Sequence, residues 1–235
     1  MRKHLRHLPL VGMLLAVPIL TVSCSDDDDS NPVLSTPAPT ANVIIVHASP
    51  DAPGVDIVVD NGAPAVEDLE FLQNTGYVAL NSGTRNVKVN VANSTTTVIN
   101  ADLNLSPNVN YSVFAVNSVA NIEPLVLVDD LSAPAAGKAH VRFVHLSPDA
   151  PSVDVALAGG GAVVFGNVAF KEFLGFTPLD AGTYNLEVRV AGTATVALPL
   201  PGITLQAGKI YTVFAKGFLS GTGSQALGAE IIVNN

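Results

Sequence analysis

The chain has 235 residues, a formal net charge of −9 and only 13% charged side chains, so it lacks the basic footprint that nucleic-acid binding needs. Hydrophobic residues make up 48%, ample for buried cores, whereas aromatics are 6% and Trp is absent, which weakens any proposal of a sugar-stacking platform.

At the N-terminus, Arg2, Lys3 and Arg6 precede an apolar run from Leu8 to Val22 that contains Pro9 and Pro18. The run is too short for a spanning helix, which wants about 20 apolar residues. Positive charge, a short apolar stretch and then small residues form the pattern of a secretory signal, read here as residues 1–23. Thr21-Val22-Ser23 before Cys24 resembles the lipobox of bacterial lipoproteins, although Thr21 stands where Leu is usual. The resemblance implies that Cys24 is diacylated and becomes the mature N-terminus. Cys24 is also the only Cys, so no intramolecular disulfide is possible in an exported chain.

Residues 24–40 carry Asp26-Asp27-Asp28-Asp29 and then Pro32, Pro37 and Pro39. Adjacent carboxylates repel and cannot be buried, so a solvated, disordered acidic tether is expected. A Ser-Asp-rich run directly after the acylated Cys resembles the surface-export signal of Bacteroidetes lipoproteins. Loss of the signal removes three of the 11 Lys+Arg and none of the 20 Asp+Glu, which leaves 8 against 20, a net charge of −12.

Beyond the tether the sequence repeats itself. Ile44-Ile45-Val46-His47-Ala48-Ser49-Pro50-Asp51-Ala52-Pro53-Gly54-Val55-Asp56 returns as Arg142-Phe143-Val144-His145-Leu146-Ser147-Pro148-Asp149-Ala150-Pro151-Ser152-Val153-Asp154, at an offset of 98. Tyr77 to Thr84 returns as Phe176 to Thr183 at an offset of 99, and Tyr111-Ser112-Val113-Phe114-Ala115 as Tyr211-Thr212-Val213-Phe214-Ala215 at an offset of 100. Three islands in one order, with little drift, indicate duplication of a whole domain rather than a solenoid unit. The repeats are placed at 41–134 and 138–235.

Each repeat reads as strands. Val87, Val89 and Val91 alternate with polar residues, as do Leu186, Val188 and Val190, the period of a half-buried strand. Asp60-Asn61-Gly62, Ser82-Gly83, Gly159-Gly160-Gly161 and Ala191-Gly192 supply turns, and Val66 to Leu72 has the pattern of one short helical turn. About seven short strands per repeat predict an all-β fold of two tandem immunoglobulin-like β-sandwiches, with a small barrel as the alternative. The block His-Ala-Ser-Pro-Asp-Ala-Pro-Gly-Val-Asp at 47–56, its echo at 145–154, Ala-Gly-Thr-Tyr at 181–184 and Ala-Gly-Lys-Ile-Tyr-Thr-Val at 207–213 resemble the bacterial domain-of-unknown-function family DUF4397. The resemblance covers both repeats, copy two more closely, since Ser106-Pro107-Asn108 stands where copy two has Gln206-Ala207-Gly208. It implies a β-sandwich module of exported proteins and no known reaction.

The candidate site residues are His47, Asp51 and Asp56, repeated as His145, Asp149 and Asp154. One reading is a corner the fold requires, in which the Asp of Ser-Pro-Asp accepts amide bonds of its own turn and the later Asp holds the turn or the His ring. The other joins an imidazole and two carboxylates as a weak cation site or an acid–base pair. No nucleophile elbow is present and no Cys remains for a closed zinc site, so no catalytic residue, metal or cofactor is expected. The first repeat carries 10 acidic and 2 basic residues and the second 6 of each, which suggests an acidic face on copy one or simple surface drift.

The expected function is that of a non-catalytic envelope lipoprotein, exported and anchored to the outer membrane through Cys24, facing the cell surface or the periplasm and presenting two modules for binding or adhesion to a protein or glycan. A structural envelope spacer is the alternative, and an enzyme of unknown reaction the most remote.

Overall fold

The computed structural model describes residues 37–235; the signal segment, Cys24 and the tether up to Thr36 lie outside the described residues. The first repeat runs β1 (Thr40–His47), β2 (Val55–Val59), β3 (Pro64–Leu69), β4 (Asn74–Asn81), β5 (Gly83–Val91), β6 (Thr97–Leu105), β7 (Asn110–Val116) and β8 (Glu123–Asp129). The second repeats it as β9 (Lys138–His145), β10 (Val153–Leu157), β11 (Val163–Val168), β12 (Phe173–Asp180), β13 (Gly182–Val190), β14 (Val196–Leu205), β15 (Ile210–Lys216) and β16 (Gly228–Val233). Each repeat is a sandwich of two four-stranded sheets, ordered β4-β1-β7-β8 and β3-β2-β5-β6 in the first, β12-β9-β15-β16 and β11-β10-β13-β14 in the second. The first and seventh strands of each repeat pair in parallel and the remaining pairs are antiparallel.

Period-two patterning explains how each sandwich fills. On β6, Ile99, Leu103 and Leu105 are buried while Asn100, Asp102 and Asn104 face outward. With Val43, Ile45, Ile57 and Val89 they form the first core, and Val141, Phe143, Val155 and Val188 belong to the second. Strands β1 and β9 are buried on both faces toward their C-terminal ends, and the second face has its own use. Ile44, Val46, Phe114 and Leu127 pack with Val144, Leu146, Phe214 and Ile232 in a third core shared by the two repeats. The equivalent rings of Phe114 and Phe214 meet there, centroids 5.9 Å apart and edge to face. The inner sheets of the two sandwiches therefore pack back to back.

Three local readings change. Each sandwich has eight strands, not about seven. The short helical turn expected at Val66 to Leu72 is instead the end of β3, whose Val66 and Leu69 pair with Ile57 and Val55, followed by a turn at Phe71-Leu72. The ladder is irregular there, and Asp68 takes φ of 51° while its amide bonds to Asp56 Oδ1 at 2.8 Å. The loop that differs between the copies keeps one shape. Asn108 takes the left-handed φ of 59° where Gly208 takes 79°, as Asn tolerates. In both copies the buried Tyr that follows, Tyr111 or Tyr211, accepts an amide bond five residues upstream, from Ser106 or Gln206, at 3.0 Å. This resembles the tyrosine corner of immunoglobulin-like sandwiches.

Candidate functional site

The repeated His-x-Ser-Pro-Asp block leaves β1 and β9 and crosses to the facing sheet. His47 and His145 end those strands, fully buried, and their Nε2 atoms lie 3.0 Å from the carbonyl oxygens of Pro53 and Pro151. A carbonyl only accepts, so Nε2 carries the proton and Nδ1 is left as an acceptor. The Ser147 amide approaches His145 Nδ1 at 3.3 Å, consistent with that tautomer. Burial pushes both imidazoles below their ordinary pKa of 6.5, and the Pro carbonyl bonds oppose this only in part. The rings are neutral struts, held by backbone rather than by Asp56 or Asp154.

Asp51 and Asp149 do not bond the amides of their own turn. Asp51 Oδ1 accepts from Val119 at 2.7 Å and Asp149 Oδ1 from Leu219 at 2.6 Å, tying the corner to the segment just after β7 or β15. Asp56 accepts from Asp68 at 2.8 Å and Asn93 at 3.3 Å; Asp154 accepts from Asn167 at 2.6 Å and Gly192 at 2.9 Å. Each copy thus uses its imidazole and two carboxylates on separate stretches of backbone. Among the described residues, no three His, Cys, Asp or Glu side chains gather as metal ligands. Ser49 Oγ and Ser147 Oγ are buried beside the rings without a hydrogen-bond partner.

A second constellation, absent from the sequence reading, sits in the joint between the repeats. Arg142 Nη1 lies 2.6 Å from Asp129 Oδ1, with side chains 1% and 0% exposed. Arg142 also donates to Ser112 Oγ at 2.7 Å and to Thr212 Oγ1 at 2.8 Å, and lies 4.7 Å over the Phe176 ring. Asp129 Oδ2 accepts from Ser112 at 2.7 Å and Tyr77 at 2.5 Å, and Asn234 donates to Tyr77 at 3.0 Å while accepting from Thr212 at 2.8 Å. Burial, then the bond to Asp129, pushes the Tyr77 phenol well above its ordinary pKa. Strand registers make Arg142 the counterpart of Ile44, Asp129 of Asn234, and Ser112 of Thr212. The signal was present in the duplication: an Arg stands at a position of one copy where the other has Ile.

The third feature separates the two sandwiches. Between its sheets the second encloses a cavity of about 230 Å³, walled by Phe143, Phe165, Leu186, Leu200 and Ile203 among other apolar side chains. The corresponding space in the first is about 20 Å³. Several wall side chains are larger in the second, Phe143 for Ile45, Phe165 for Val66 and Leu200 for Ala101, while Val155 for Ile57 and Ala229 for Pro124 are smaller. The edge strand differs as well. Tyr184 pairs with Ile203 and Leu186 with Leu200, so one extra residue is accommodated in β14, whereas β6 runs in register through the same stretch. It falls at Pro201-Gly202, where Gly202 takes φ of +71° and donates its amide to Asn185 Oδ1 at 3.0 Å. This bulge is where the repeat offset passes from 99 to 100.

These features define a tandem β-sandwich protein with a buried inter-repeat joint and one hollow module. The family model for a domain of unknown function, DUF4397, matches residues 41–156 and 157–234, and the chain belongs to that family. No curated protein matches the chain.

Proposed function

We propose that the chain is a non-catalytic lipoprotein of the cell envelope, held on the outer membrane by an acylated Cys24 and presenting its two joined sandwiches at the cell surface for binding or adhesion. The observation that supports the non-catalytic reading is the use of His47, Asp51, Asp56, His145, Asp149 and Asp154. In both repeats these groups bond backbone atoms, and neither ring has a carboxylate partner to make an acid–base pair. A structural spacer is the second reading, favoured by the shared core that fuses the repeats.

The anchoring test is fractionation of cells expressing wild type and Cys24→Ala, with mass spectrometry of the mature N-terminus and protease treatment of intact cells. Wild type is expected in the outer-membrane fraction with a diacylglyceryl Cys and digested from outside; Cys24→Ala is expected to leave that fraction. A soluble wild-type chain with an unmodified N-terminus overturns the proposal.

A further inference from the structure

We infer that the second sandwich binds an acyl chain in the cavity between its sheets, with the polar end of the ligand outside. This rests on the reading of the protein as a binding module and names the ligand class. Four observations carry it. The cavity, about 230 Å³, exceeds the roughly 150 Å³ of an apolar protein cavity that stays dry and takes up benzene. Its wall holds no charged side chain, and its one hydroxyl, on Tyr184, is used by the Asp180 carbonyl at 2.8 Å. A charged or strongly hydrated ligand would lose its water there without replacement, so only hydrocarbon fits.

The cavity is also long and open. Its wall on β14 runs from Leu200 to Leu205, roughly 15 Å of strand, which suits a chain better than a compact ring. Two wall residues reach the surface, Leu157 at 37% and Ile231 at 39% exposure, so a chain can enter while its head stays in water. Finally, the space lies beside a bulge in the edge strand that the filled sandwich lacks, and where Ala229 stands for Pro124 and Val155 for Ile57.

The absence of Trp makes the test direct. Residues 25–235 carrying Tyr184→Trp would have one indole, in the cavity wall. Two probes are titrated: a free fatty acid brominated along its chain, and phospholipid vesicles brominated on their acyl chains. Saturable quenching by the fatty acid assigns a free amphiphile; quenching by vesicles assigns a chain drawn from a bilayer. Either supports the inference, provided that Ala229→Phe, which fills the cavity, weakens it by more than about tenfold. The control is Arg85→Trp, the counterpart position in the filled first sandwich, expected to stay unquenched.

The inference is overturned if neither probe quenches, if Arg85→Trp is quenched equally, or if Ala229→Phe folds and binds as before. Should Ala229→Phe fail to fold by circular dichroism, Leu200→Phe takes its place. Because this chain has no Cys24, the outcome is independent of anchoring. A failed fractionation and a failed titration therefore strike different proposals.

Discussion

The two sandwiches share strand order, the His-x-Ser-Pro-Asp corner and the buried Tyr, yet they differ where they touch each other and where they are hollow. At the joint, the first repeat contributes Ile44 and Asp129 and the second Arg142 and Asn234, so one buried ion pair replaces what perfect symmetry would have made two identical contacts. At the outer sheets, β6 closes its core and the bulged β14 leaves a cavity. Corner and core are needed by every copy for folding alone and stay alike. The joint and the edge strand carry what is particular to each copy. A buried Arg–Asp pair adds little net stability over a well-packed apolar pair, but it penalises any arrangement that separates the partners.

That asymmetry can be broken first at Asp129. Asp129→Ala leaves the Arg142 guanidinium buried without its anion and is expected to cost about 3–5 kcal/mol in urea denaturation. The exchange variant Asp129→Asn with Arg142→Ile, in which each copy takes its counterpart's residue, is expected to recover most of that loss. A cost near zero for Asp129→Ala would mean that the shared apolar core alone fixes the joint.

The corners allow a like-for-like comparison of the copies. Asp154 accepts two short amide bonds at 8% exposure, so Asp154→Ala is expected to cost about 1–3 kcal/mol. Asp56→Ala removes one bond of 2.8 Å and a longer one of 3.3 Å and should cost less. Asn at either position keeps an acceptor and should lie nearer wild type. Melting in calcium and in chelator is expected to be the same for all of them. A calcium-dependent rise in wild type that both Ala variants lose would restore the cation reading.

Titration affects both copies together. Burial lowers the pKa of His47 and His145 in the folded chain, so between that lowered value and the ordinary 6.5 the unfolded chain binds more protons. Their contribution to stability is complete above about pH 6.5 and falls as the pH drops through that window. His47→Gln and His145→Gln should each remove part of this slope in denaturation curves measured between neutral and mildly acidic pH. An unchanged slope in the double variant would assign it to other groups.

The smallest effect lies at the rim of the joint. Lys171 of the second repeat pairs with Glu123 of the first at 2.9 Å, but both side chains are about two-fifths exposed and screened by water. Lys171→Ala should cost no more than about 0.5 kcal/mol, in contrast to Asp129→Ala across the same interface.

The residues themselves made much of this legible. Alternation at Val87, Val89 and Val91 fixes which face of β5 is buried, and turn residues separate the strands, because strand period and turn conformation are local properties. The duplication declares two copies of one fold through residue identity alone. The destination of the corner carboxylates was not legible. Asp51 and Asp149 bond amides 68 and 70 residues away, at distances in the chain that no turn rule reaches. Nor was the second face of β1 and β9: Ile44 and Val46 on one strand and Arg142 and Val144 on the other face away from their own sandwich, and only the packed tertiary structure shows that each repeat covers the other. The same holds for Arg142 and for the cavity. One extra residue at Pro201-Gly202 is visible as a shift in offset, but whether it loops out harmlessly or bends an edge strand away from its core depends on what packs behind it. Sequence by itself determined the strands, the duplication and the types of residue available to the core. Tertiary structure decided which faces meet, which charges are buried together and which of two related sandwiches stays hollow, because those outcomes depend on contacts between segments that the local chain does not encode.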